Sequence, residues 1–252
     1  MKDKDIRRIS TIGNNNKSKS PDSEEMKIYI YLHICCVNNW GDVLRDLLYK
    51  IHDSGLYTEI EKIKCCILGD PSSHIHLLNN DPKIEIMDTH SNIHLCEPFT
   101  INHLYEHAKK SSEPFYALYL HTKGVRHNGQ NPNVLDWVNY LCYFNIYHYP
   151  KCLDALNAKF STVGVNLQLS PKIHYSGNFW WANSEYIKRL DTCYLSSYNA
   201  PEFWITEKQN GNYACLYQSD VNHYHDAYPP SKYLGKDIVL KYMPVKMPSV
   251  AD

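Results

Sequence analysis

Four stretches of this chain carry residue types that could do chemistry. In PEFWI, Glu202 lies between Pro201 and Phe203, with Trp204 beyond. Aromatic neighbours desolvate a carboxylate, raise its pKa and suit it to work as a general base. A Glu capping a short helix is the other reading of the same position. In HYSGNFWW, Gly177–Asn178 interrupts an extended run and lets backbone approach a ligand closely. The adjacent Trp180 and Trp181 must point to opposite faces of a strand. Either they offer a flat platform to a sugar, together with Trp204, or they belong to the core. The third stretch, His74-x-His76, would present two imidazoles on one face of a strand, as a metal pair needs. The fourth, Asp220-x-x-His223-x-His225-Asp226, gathers more ligand types, with His223 and His225 the candidate metal ligands. Because the chain holds 14 His, chance pairs are also expected.

The missing signatures narrow the chemistry. There is no GxxxxGK[ST], no GxGxxG after the first strand, no GxSxG and no HExxH. P-loop hydrolysis, dinucleotide-dependent redox chemistry and the commonest hydrolase and metalloprotease designs are therefore disfavoured. Basic and aromatic residues do not interleave as in RNA-binding segments. With 26 Lys+Arg against 27 Asp+Glu, the net charge of −1 supplies no global field for nucleic acid or acidic lipid. No apolar run approaches the roughly 18–20 residues of a membrane span, and MKDKDIRRIS lacks the apolar stretch of a secretory signal. Nine cysteines, an odd number without a CxxC, include two vicinal pairs inside apolar runs. They read as buried free thiols, which suit a reducing, cytoplasmic compartment.

The elements that must position these residues are legible as alternating patterns. Residues 1–25 are polar and Asn/Ser/Lys-rich, and read as a disordered leader. Lys27–Cys36, Lys62–Leu68, Lys83–Met87 and Phe115–His121 are β-prone runs. Helical spacing occupies Asp42–His52 and Ile101–Lys110. This β-α-β-β-α-β order predicts a mostly parallel sheet covered by helices, with ligands at the carboxyl ends of the strands. Those ends are His33–Asn39, Asp70, Asp88–His90 and His121–Gly124. Further on, Val134–Ala158 reads as one long helix or two, broken at Tyr149–Pro150. Phe160–Leu167 and His174–Trp181 read as extended, Ser184–Leu190 as a helix, and the tail beyond Pro229 as wrapping the surface.

The spacing from Gly177-Asn178 through Ala182, Tyr186 and Leu190 to Glu202 resembles the acceptor half of nucleotide-sugar glycosyltransferases with the GT-A fold. YLHICCVNNW, SGLY, YLHTKG and HYSGNFWW look more narrowly like a group of glycosyltransferase-like proteins of bacteria and large DNA viruses, including the first glycosyltransferase domain of a multidomain chlorella-virus protein. The resemblance covers roughly residues 27–228. It implies a single α/β, GT-A-like domain over 26–252 with a Rossmann-like, mixed and mostly parallel sheet flanked by helices. A donor half would span about 26–130, an acceptor half about 131–228 and a tail 229–252. It also implies transfer of a hexosyl or deoxyhexosyl group from a nucleotide diphosphate, UDP favoured, to a glycan or glycoprotein hydroxyl. In inverting members the acidic residue at the Glu202 position is the base. A viral source would place the protein in the host cytoplasm or the virion.

One departure matters. The family places a metal-binding Asp-x-Asp after the fourth strand, where Mn²⁺ or Mg²⁺ neutralises the leaving diphosphate. Here that place holds His121-Thr122-Lys123-Gly124, and the only Asp-x-Asp is Asp3–Asp5. Lys123 can supply the charge itself, helped by His121, with Gly124 admitting backbone and a divalent cation optional. Lys123 as a solvated turn lysine is the plainer reading. By position, His33 and Asn38 are expected to touch the base, Asp70 to accept from a uracil N–H or simply to turn the chain before Pro71, and Thr122 to line the donor site. Two alternatives to an active transferase stay open. One is a GT-A-shaped module that binds glycan or nucleotide sugar without turnover. The other is a divalent-metal hydrolase built on Asp220, His223, His225 and Asp226.

Overall fold

The computed structural model describes residues 7–8, 26–208 and 211–243. In chain order the elements are β1 (Arg7–Arg8), β2 (Lys27–Cys36), α1 (Trp40–Asp53), α2 (Leu56–Glu59), β3 (Lys62–Gly69), α3 (His76–Asn79), β4 (Ile84–His90), α4 (Pro98–Lys110), β5 (Phe115–His121) and α5 (Pro132–Cys142). Then follow α6 (Tyr149–Asn157), β6 (Thr162–Gly164), β7 (Leu167–Gln168), β8 (His174–Tyr175), β9 (Trp180–Asn183), α7 (Ser184–Ile187), α8 (Ala200–Trp204), β10 (Tyr213–Cys215) and β11 (Lys241–Met243).

Nine strands form one sheet in the order β1-β11-β10-β6-β9-β5-β2-β3-β4. β2 pairs in parallel with both β3 and β5, and β3 with β4. β9 runs antiparallel between β5 and β6, and β10 returns parallel to β6. Helices cover both faces, so the central strands must be apolar on both sides. Along β2, Ile30, Leu32 and Ile34 pack with α1, α5 and α6, while Tyr31 packs with α4 and α7 on the other face. In β9 the same period of two sends Trp181 to the first layer and Trp180 to the second. The result is the expected α/β architecture, a Rossmann-like, mixed and mostly parallel sheet flanked by helices.

The element positions refine the sequence reading. The β2, β3, β4 and β5 runs are strands within two or three residues of their expected ends. The long helical run is two helices, joined by a π-helical turn at Tyr143–Tyr147 ahead of Pro150. The Phe160–Leu167 run splits into β6 and β7, because Asn166 takes a positive φ of 50° between them. The expected leader lies outside the described residues except for Arg7–Arg8, which pair with Lys241–Tyr242. Of the tail, β11 joins the sheet beside β10 and Tyr233 is buried. None of the described helices is long and apolar enough to cross a membrane.

Candidate active site

Parallel pairing of β2, β3 and β5 brings their carboxyl ends to one edge, where Asn38, Asp70 and the His121–Gly124 turn emerge. Two bonds lock that turn. The Thr122 amide donates to the His33 carbonyl at 3.0 Å, and its hydroxyl accepts from the Cys35 amide at 3.0 Å. Thr122 is thus a buried strut between strand ends rather than a free donor-site contact. Gly124 has φ +91°, a left-handed conformation that favours glycine, and a Cβ there would stand 3.0 Å from Val134. Asn38 is exposed and donates through Nδ2 to the Val125 carbonyl at 2.8 Å, tying the β2 loop to the β5 turn.

Lys123, in this turn, is half-buried, with Nζ 3.8 Å from the centroid of the Trp137 ring on α5. Burial lowers its pKa, opposed by the negative charges of Glu202 and Glu97. Glu202, in the first turn of α8, is half-buried too. Burial raises its pKa, opposed by Lys123, by His174 and by a hydrogen bond from the Gly177 backbone. The two groups are close enough that each charge acts on the other. A lysine and a carboxylate therefore share a desolvated space at the strand ends, where a proton can move between carboxylate and ligand at little cost.

The Gly177–Asn178 turn organises this space. Gly177 has φ +97°, and a Cβ on it would stand 2.7 Å from Leu141 and 3.1 Å from Trp137. Its amide bears on Glu202, while its carbonyl accepts from His121 Nε2 at 3.1 Å. Burial and the nearby Lys123 charge push the His121 pKa down to about 3, so the imidazole is neutral at pH 7. The expectation that His121 helps Lys123 as an electrophile is corrected: a neutral ring that donates to Gly177 adds no charge. Asn178 Nδ2 donates to Glu97, just ahead of α4, and its Oδ1 accepts from Trp180 Nε1 at 2.8 Å. Tyr119 also donates to Glu97 at 3.0 Å.

Several other expected site residues lie elsewhere. His33 is mid-strand and buried, bonded through Nδ1 to Thr100 Oγ1 at 2.7 Å, with its pKa pushed down to about 4 by burial. It cannot touch a base. Asp70 is exposed and accepts from the Ser72 amide at 2.9 Å, which holds its carboxyl below its usual range. It makes the turn before Pro71 while remaining at the strand edge. Trp180 and Trp181 are fully buried, and Trp204 nearly so. Their indole N–H groups are satisfied inside the protein, by Asn178, Asn145 and Asp191. They are core, which corrects the acceptor platform: a ring covered on both faces has none to offer a sugar.

The candidate metal ligands do not come together. Among the described residues no group of three or more His, Cys, Asp and Glu could hold an ion. His223 is buried among Trp137, Tyr140 and Tyr228, whereas His225 is exposed against Tyr224. His74 and His76 sit in a turn and α3 rather than on a strand, and His74 packs on Trp40.

Sequence reasoning missed three residues. Glu97 has no motif around it. Trp137 looked like one more apolar position of a helix. Arg126, which stacks on Tyr198 with its guanidinium carbon 4.7 Å from the ring centroid, follows Lys123 in the same turn and was the most findable.

The chain belongs to the family described as Domain of unknown function (DUF8361), whose model matches residues 43–212. No curated protein matches the sequence. Among solved structures, the chain is similar to 4-diphosphocytidyl-2C-methyl-D-erythritol synthase from Anaerococcus prevotii DSM 20548, at 12% identity over 76% of this chain and 89% of that one, with a TM-score of 0.44.

Proposed function

We propose that this member of the family transfers a sugar from a nucleotide diphosphate, with a UDP-sugar favoured, to a hydroxyl of a glycan or protein-linked acceptor. What supports the reading is that Lys123, in the turn after β5, and Glu202, bonded to the Gly177 backbone, are both partly buried and near enough for each charge to act on the other. The carboxyl ends of parallel strands are where α/β sheets take nucleotides. The donor lies across the ends of β2, β3 and β5, against Asn38, Asp70 and Gly124. The acceptor oxygen attacks the anomeric carbon and the bond from that carbon to the phosphate oxygen breaks. The electron pair leaves with the diphosphate beside Lys123, whose charge grows in value as the leaving group becomes more negative. With attack from the face opposite the diphosphate, the acceptor proton passes to Glu202 and configuration inverts; in a retaining reaction no such base is required and the donor's phosphate takes the proton. His121, Thr122 and Asn178 position the turn and the base rather than touch the reacting atoms.

A binding module without turnover is the second reading, favoured by the absence of carboxylates where a diphosphate-bound cation would be held. Incubation with UDP-, GDP- and dTDP-sugars, with and without Mn²⁺, separates the two. Slow nucleotide release from one donor, lost in Lys123→Ala, is expected. Binding of a donor with no release in any acceptor mixture would establish the module instead.

A further inference from the structure

A cleft opens beside Trp137, whose ring also carries the Lys123 ammonium. It encloses about 470 Å³ and is lined by Trp137, Gln168, Ser176, Gln218, Asp220 and His223, among others. Its wall is built around Asn166, which is buried at a positive φ of 50°. The Asn166 amide donates to the Tyr217 carbonyl, and its carbonyl accepts from the Ser176 amide, so β7, β8 and the chain after β10 are fastened to one residue. Asn166 Oδ1 accepts from the Ser219 amide at 2.9 Å, which fixes the side chain with its oxygen towards Ser219.

That orientation determines a tautomer. Ser219 Oγ lies 3.0 Å from the same Oδ1, and an amide oxygen cannot donate, so the serine proton points to Asn166. His223 Nε2 lies 2.7 Å from Ser219 Oγ and must be the donor of that pair. In the neutral ring Nδ1 then carries a bare lone pair. His223 is 3% exposed, and its Nδ1 has no hydrogen-bond partner. A buried acceptor left unpaired costs about 1–3 kcal/mol, and a donor that moved into reach of Nδ1 would recover it.

The charges in and around the cleft select among ligands. The Lys123 ammonium acts on His223 and works against a cation at Nδ1. The exposed Asp220 carboxylate on the rim works against an anion. What remains is a neutral ligand with O–H donors. Gln168 and Gln218 can each donate and accept, as vicinal hydroxyls require, and Ser176 adds another hydroxyl.

We propose that this cleft is a saccharide-binding subsite, in which a sugar hydroxyl donates to His223 Nδ1 while Gln168, Gln218 and Ser176 bind its neighbours. Its identification as the acceptor side of a transfer reaction rests on the function proposed above; the saccharide site itself does not. Ser176 lines the cleft, and the next residue, Gly177, bonds Glu202 through its backbone.

The test is saturation-transfer NMR of the full chain with the methyl glycosides of glucose, galactose, mannose and N-acetylglucosamine, each run with and without UDP. At least one glycoside is expected to receive saturation, and the Gln168→Ala/Gln218→Ala double variant is expected to reduce it at least fivefold while the fold, followed by the amide spectrum, persists. His223→Phe, which keeps the stacking on Trp137 but removes Nδ1, is expected to lower it as well. Absence of transfer to all four glycosides, or transfer unchanged in the double variant, overturns the subsite. UDP binding is read separately: glycoside binding without it keeps the subsite and removes the nucleotide-sugar reading, and the converse result does the opposite.

Discussion

Replacing Gly177 by alanine probes the hinge of the candidate site. Two penalties apply at once. The backbone sits at φ +97°, where an L side chain costs about 1–2 kcal/mol. The added methyl would also stand 2.7 Å from Leu141 Cδ1 and 3.1 Å from Trp137 Cε2 and Nε1. Leu141 is fully buried and has little room to yield, so overpacking adds about 1–3 kcal/mol. Gly55 supplies the control, since it has φ +80° and nothing within 4 Å of an added Cβ. Gly55→Ala carries the backbone penalty and the same gain from a stiffer unfolded chain, so the difference between the variants isolates packing. At about 2–4 °C per kcal/mol for a domain of this size, Gly177→Ala should melt about 2–12 °C below Gly55→Ala. Thermal unfolding followed by circular dichroism reads this directly. Equal melting temperatures would refute the close packing of the Gly177 turn on Trp137, and with it the account of how Glu202 is held.

Further outcomes follow from the same geometry. Because burial raises the Glu202 pKa, nucleotide release should fall with decreasing pH at a midpoint above the ordinary carboxylate value of 4.5. The Lys123 charge opposes that shift, so Lys123→Met should move the midpoint of any residual activity to higher pH, and Glu202→Gln should abolish the limb; a pH–rate series checks both. Trp204→Phe and Trp180→Phe should lower stability, by loss of buried area and of satisfied N–H groups, while leaving the acceptor KM within about twofold, a change worth less than roughly 0.5 kcal/mol. A large rise in KM would restore those tryptophans as a platform. Asn178→Ala, which leaves the Trp180 N–H without its acceptor while Glu97 keeps the Tyr119 hydroxyl, should cost about 1–3 kcal/mol in a denaturant titration.

The parallel part of the sheet was legible because its signal is local and redundant. Lys27–Cys36 and Phe115–His121 are nearly continuous apolar runs, and strands buried on both faces need that pattern. The sequence also singled out the Gly177–Asn178 turn, Lys123 and Glu202, and the fold brings the two charged groups near enough to act on each other. It misled on Trp180, Trp181 and Trp204. Period two assigns a tryptophan to a face but does not say what covers that face, and here helices cover both. His33 and His121 looked like free strand-end imidazoles. Their partners, Thr100 and the Gly177 carbonyl, come from 67 and 56 residues away, so no local pattern announces them. The Asn166–Ser219–His223 chain is equally nonlocal, joining residues 53 apart.

The central claim is that the Lys123 turn holds a diphosphate, and comparing UDP with uridine by calorimetric titration tests it most directly. The account predicts that the wild-type chain binds UDP at least tenfold more tightly than uridine, equivalent to about 1.4 kcal/mol, and that Lys123→Met removes most of this preference without altering uridine binding. Equal affinity for UDP in the wild type and the Lys123→Met variant would contradict it.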